Sequence, residues 1–107
     1  MSEDQKDAII GRLLRERKEV QGHLAALEAD AGKISQRFDQ LGEMLNRNPQ
    51  DVWFYGQSAD IKGYVPRSAS FNMADFDMQR IIDLTNKIRS TREKLDELNS
   101  EASRFGF

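Results

Sequence analysis

Trp53, Phe54 and Tyr55 follow one another in the middle of the chain. With Tyr64 and Phe71 they place five of its nine aromatics between Asn48 and Phe71. The chemistry such residues offer is recognition, because large rings, some with a polar tip, are common anchors of protein interfaces. Three rings in succession cannot all enter one small core. Part of the run is expected to face a partner, and part to plug the end of the fold against Met44, Phe76 and Met78. Groups suited to acid–base, covalent or metal chemistry are sparse by contrast. Cysteine is absent, which removes thiolate nucleophiles, disulfides and cysteine zinc sites. His23 is the single histidine. With only Glu28 and Asp30 nearby it reads as a surface residue making a hydrogen bond. Asp75 with Asp77, and Asp96 with Glu97, are spaced too closely to share a helix face; Glu93 and Glu97 share one and read as solvated surface. No phosphate-binding glycine loop, dinucleotide turn or Gly-x-Ser-x-Gly elbow occurs. The expectation is a non-enzymatic protein with no catalytic residue, no metal and no cofactor.

The basic stretch Arg12-Leu13-Leu14-Arg15-Glu16-Arg17-Lys18 could hold phosphates. Glu16 and Glu19 interrupt it, and Arg12 with Glu16 and Arg15 with Glu19 stand at ion-pair spacing on a helix. Arg80, Lys87 and Lys94 recur every seven residues, which suits pairing between helices. Sixteen basic against eighteen acidic residues leave a net charge of -2, where a dedicated nucleic-acid binder carries a basic excess. A nucleic-acid-associated regulator is therefore the third function in order.

The elements that position these residues follow from periodicity. At 107 residues the chain is expected to form one domain. Its apolar share of 38% is below the ~45–50% of an average globule and suits an elongated helical protein. Steps of three and four from Ile10 run through Leu13, Arg17, Val20, Leu24, Leu27, Ala31, Ile34, Phe38, Leu41 and Leu45; all but Arg17 are apolar. The same steps from Ala74 run through Asp77, Ile81, Leu84, Ile88, Thr91, Leu95, Leu98, Ala102 and Phe105. Such stripes are coiled-coil seams. Ser2 and Gln5 read as a capping box, Asn48-Pro49 as a stop, Asn72 as a second N-cap and Gly106 as a terminal stop. The expectation is a helix over 3–47, a loop over 48–71 and a helix over 72–104. Within the loop, 52–55 and 61–65 read as the arms of a short β-hairpin turned at 56–60.

The fold class is thus all-α: an antiparallel two-helix hairpin pairing residues whose numbers sum to about 115. That register sets Leu13 opposite Ala102, Val20 opposite Leu95 and Phe38 opposite Asp77. Arg17, Thr91 and Asp77 in the seam cost stability and fix register. Gly11, Gly22, Gly32 and Gly42 do not line one face and read as tolerated flexibility. A lone hairpin leaves its seam half covered. Ile9 and Leu14 flank the seam near the termini, and Met44, Phe76, Met78 and Ile82 flank it near the loop. Ile9, Leu14, Met78 and Ile82 predict an oligomer interface, with a homodimeric four-helix bundle first and a tetramer next.

Two long helices around a central aromatic, strand-like segment resemble the plan of a β-type prefoldin subunit, a likeness of architecture that transfers no residue. It implies a holder chaperone gripping clients between helical arms, which is the second function in order. The leading expectation is a coiled-coil interaction module: an adaptor, a scaffold component or a small regulator. It would present Trp53, Phe54, Tyr55, Tyr64, Met44, Phe76 and Met78 to a protein partner. The polar N-terminal residues read as neither signal nor transit peptide, and no run approaches a membrane span. The expected location is cytoplasmic, with no membrane partner.

Overall fold

Ser2 and Gln5 open the first helix by capping each other. The Gln5 backbone N–H donates to Ser2 Oγ at 3.2 Å, and the Ser2 N–H donates to Gln5 Oε1 at 3.3 Å. Two orphan donors of the first turn are satisfied in this way, with Glu3 and Asp4 at the positive end of the helix dipole. The computed structural model describes residues 2–56 and 70–106. Helix α1 runs Glu3–Arg47, as the seam predicts. Asn48 donates to the Met44 carbonyl at 2.8 Å, and Pro49 begins a 3-10 turn, Pro49–Asp51. Strand β1 is Trp53–Tyr55 and strand β2 is Ser70–Asn72. A second 3-10 turn, Met73–Phe76, leads to helix α2, Met78–Arg104. Gly106 ends the chain's helical path at φ +89°, a conformation glycine adopts without Cβ strain.

Two expectations are corrected here. Helix α2 starts six residues later than 72 because two caps act in series. The Asn72 side chain accepts from the Ala74 N–H at 3.0 Å and so caps the 3-10 turn. Asp77 is extended, accepts from the Gln79 N–H through Oδ1 at 3.0 Å and takes the Ile81 N–H on its carbonyl at 3.1 Å. Asp77 is therefore the N-cap of α2. The β-hairpin is the second correction. β1 lies where a strand is expected, but it pairs in parallel with β2, in the register Trp53↔Ser70, Phe54↔Phe71 and Tyr55↔Asn72. Parallel strands need a crossover of a dozen or more residues, and the chain between Tyr55 and Ser70 is long enough. The expected second arm, 61–65, lies outside the described residues.

The chain divides into two compact units. Unit 1 comprises Met1–Ala29 and Leu84–Phe107. Here Leu13 and Ala102 are each 3% exposed, and Val20, Leu27 and Leu98 are buried too. Leu13, Val20 and Leu98 form one cluster, with Ile9, Leu95 and Phe105 packed against it. Early residues of α1 thus meet late residues of α2, and Glu28 meets Arg92 at 3.2 Å. The two helices run antiparallel in this unit, as the seam register requires. Unit 2 comprises Asp30–Asp83, with the strand pair, both 3-10 turns and the adjoining ends of the helices. Among its described residues the buried apolar one is Phe71, at 4% exposure.

Candidate partner-binding surface

Phe71 is buried because rings surround it. Its centroid lies 5.9 Å from that of Phe76 and 6.1 Å from that of Phe54. Phe76 in turn meets Phe38 edge-on at 5.0 Å and Phe54 at 6.2 Å. Edge-to-face contacts at these separations are favoured by the ring quadrupole. Phe54 and Phe76, both expected at a partner surface, also join this ring cluster; Phe76 is half-buried and Phe54 is 39% exposed. Side chains alternate across a strand, so Trp53 and Tyr55 take the face of β1 opposite Phe54. They are 40% and 42% exposed. The run is divided by contact and not by exposure: its middle member meets Phe71 and Phe76, and its outer two make no ring contact among the described residues.

Polar contacts hold the 3-10 turn that carries Phe76. Arg37 Nε lies 3.4 Å from Asp75 Oδ2, and another Arg37 nitrogen donates to Gln40 at 3.1 Å. Arg80 donates to the Ala74 carbonyl at 3.4 Å. An open cleft of about 360 Å³ beside this turn is lined by Asp30, Lys33, Arg37, Asp75 and Arg80 among others. A second, of about 430 Å³, is lined by residues including Gln40, Met44, Ser70 and Phe71. Met44 is half-buried, and Met78 is 63% exposed. Tyr64 lies outside the described residues.

Of the expected oligomer contacts, Leu14 and Ile82 are 37% and 46% exposed, as Met78 is more fully. Ile9 instead packs against the core cluster of its own chain. Two exposed residues were not singled out for the surface. Phe38 and Leu45 continue the α1 seam, yet they are 42% and 50% exposed. A register sum near 115 sets Leu45 opposite residue 70, which is strand and not helix. That arithmetic was the available signal. His23 is exposed on α1. Among the described residues no three His, Cys, Asp or Glu side chains gather closely enough to hold a metal ion, and no helix is long and apolar enough to cross a membrane. The chain matches no protein family, no curated protein and no solved structure.

Proposed function

We propose that the protein is a non-enzymatic interaction module that presents Trp53 and Tyr55, with the neighbouring apolar residues of unit 2, to a protein partner. One observation carries this reading. Of the eight large apolar side chains exposed among the described residues, all but Leu14 belong to unit 2. A concentration of exposed apolar groups marks an interaction surface far better than scattered ones do. The protein acts by binding, as an adaptor, scaffold component or small regulator. Affinity capture from the native cell tests it, comparing wild type with Trp53→Ala and Tyr55→Ala. Loss of a captured protein with unchanged helicity is the expected outcome; capture unaffected by both substitutions overturns the reading.

A second reading, the holder chaperone, has support from Leu45 at the end of α1 and Met78 at the start of α2, both at least half exposed. A holder would suppress aggregation of unrelated unfolded proteins, whereas an adaptor would not. For either function the proposed assembly is a homodimer forming a four-helix bundle. Sedimentation at micromolar concentration is expected to give about twice the chain mass of 12.3 kDa.

A further inference from the structure

Unit 1 carries opposite charges on two outward helix faces. Arg12, Arg15 and Lys18 of α1 sit at heptad positions c, f and b, turned from the seam, and all three are exposed. Glu93, Glu97 and Glu101 of α2 stand four residues apart on one stripe, with Asp96 beside them, and all four are exposed. Like charges at that spacing repel and destabilise a helix by a few tenths of a kcal/mol per pair. Glu101 also lies in the last turn, where the helix dipole disfavours a carboxylate. Arg89 stands four residues before Glu93 and Arg104 three after Glu101, but neither closes an ion pair with the stripe. The side chains of Glu93, Asp96, Glu97 and Glu101 make no ion pair or hydrogen bond among the described residues, and neither do those of Arg15 and Lys18. The expected Arg15–Glu19 pair does not form, while Arg12 reaches Glu16 at 3.9 Å. By contrast Arg92 of the same unit is paired across the seam with Glu28.

The acidic stripe also borders a recess of about 390 Å³, lined by Asp96, Glu97, Ser100, Glu101 and Arg104. That is room for the ends of basic side chains. Arg12, Arg15 and Lys18 of the same chain form no ion pair with the stripe. We propose that the occupant is a second copy of this chain, whose Arg15 and Lys18 dock on Glu97 and Glu101 with Leu14 at the contact. Leu14 lies one helical turn before Lys18 and is 37% exposed, which supplies an apolar element among the charges. The contact joins two different surfaces, so it is heterologous, and a further copy can add to the free end. This inference shares with the reading above self-association alone: an open-ended contact gives masses beyond twice the chain mass, where the four-helix homodimer stops at two copies.

The test is sedimentation of the full chain with two charge-reversed variants. One carries Arg15→Glu and Lys18→Glu; the other carries Glu97→Lys and Glu101→Lys. All four positions are exposed and unpaired, so circular dichroism is expected to show unchanged helicity. At low ionic strength the wild type is expected to associate, and rising salt is expected to weaken the association by screening. Each variant alone is expected to associate at least roughly tenfold more weakly. An equimolar mixture of the two is expected to regain association, because each supplies the charge the other has lost. A wild type that stays at the chain mass overturns both this inference and self-association itself. Association that survives in both variants, or a mixture no better than its components, overturns the named faces alone.

Discussion

The same three-four spacing runs along α1 through both units, yet it has different consequences in each. In unit 1 the stripe meets a second helix, and Leu13, Val20 and Leu27 fall to 8% exposure or less. In unit 2 the stripe meets a 3-10 turn and two three-residue strands, and Phe38 and Leu45 keep 42% and 50%. Short irregular elements cannot cover a helix with aliphatic side chains at every turn. Rings do the covering instead, because one phenylalanine such as Phe71 or Phe76 reaches several neighbours at once. The difference teaches that a periodic seam states what a helix offers, while burial depends on what the partner element can bring to it. The uncovered remainder concentrates exposed apolar side chains in unit 2.

The largest expected effect tests whether Phe71 organises unit 2. Phe71→Ala removes the ring at the centre of the cluster and is expected to cost about 3–5 kcal/mol. Trp53 fluorescence and near-ultraviolet dichroism are expected to lose their native signal at lower temperature, with far-ultraviolet helicity falling later. A single coincident transition would break the distinction between the units. Leu13→Ala, in the core of unit 1, is expected to cost about 2–4 kcal/mol. Its signature is the reverse: a lower midpoint for helicity, read by thermal circular dichroism.

These two positions also mark how far the sequence could be read. Leu13 sits in a seam interrupted on α1 by Arg17 alone, with a complementary stripe on α2, and helix, face and antiparallel partner all follow from spacing. Ser2 and Gln5 announce their cap by residue type. The strand pair was half legible. Trp53, Phe54 and Tyr55 have the composition of a strand, but Ser70-Phe71-Asn72 is short and sets one ring between two small polar residues. Its pairing is also parallel and non-local, and neither property leaves a local pattern. The start of α2 was misplaced for a related reason. Asn72 and Asp77 are both competent caps with extended backbone, and only the break at Asp77 after one 3-10 turn gives the long helix to the second. The outward turn of Trp53 and Tyr55 needed the strand itself, because alternation fixes their side once Phe54 is known to face Phe71.

That alternation yields the next, smaller effects. Trp53→Ala is expected to change stability by under about 1 kcal/mol, since the ring is 40% exposed and makes no ring contact among the described residues. If it anchors a partner, the same substitution weakens binding by about 2 kcal/mol or more. Phe54→Ala removes contacts to Phe71 and Phe76 and is expected to cost about 1–2 kcal/mol. Equal losses from the two substitutions in a denaturant titration would contradict the division of the strand into an inner and an outer face. Gly56→Ala belongs to the same range. Gly56 has φ +97°, and an added Cβ would lie 2.8 Å from Asn72 Oδ1, the atom that caps the 3-10 turn. A loss of about 1–2 kcal/mol is expected from the left-handed backbone alone.

The smallest expected effects have the opposite sign and sharpen the comparison most finely. Gly22 lies in the unit 1 stretch of α1 and Gly42 in the unit 2 stretch. Neither has any neighbour within 4 Å of where a Cβ would stand, so neither is there to admit a close approach. Both have helical φ, and each leaves the unfolded chain with freedom that alanine lacks. Gly22→Ala and Gly42→Ala are each expected to stabilise the helix by about 0.5–1 kcal/mol. If the units unfold separately, Gly22→Ala raises the helical transition, while Gly42→Ala raises the one reported by Trp53. Differential scanning calorimetry followed at both probes distinguishes the cases. A gain from Gly42→Ala that appears only in the helical transition would mean that α1 behaves as one cooperative rod, indifferent to which unit covers it.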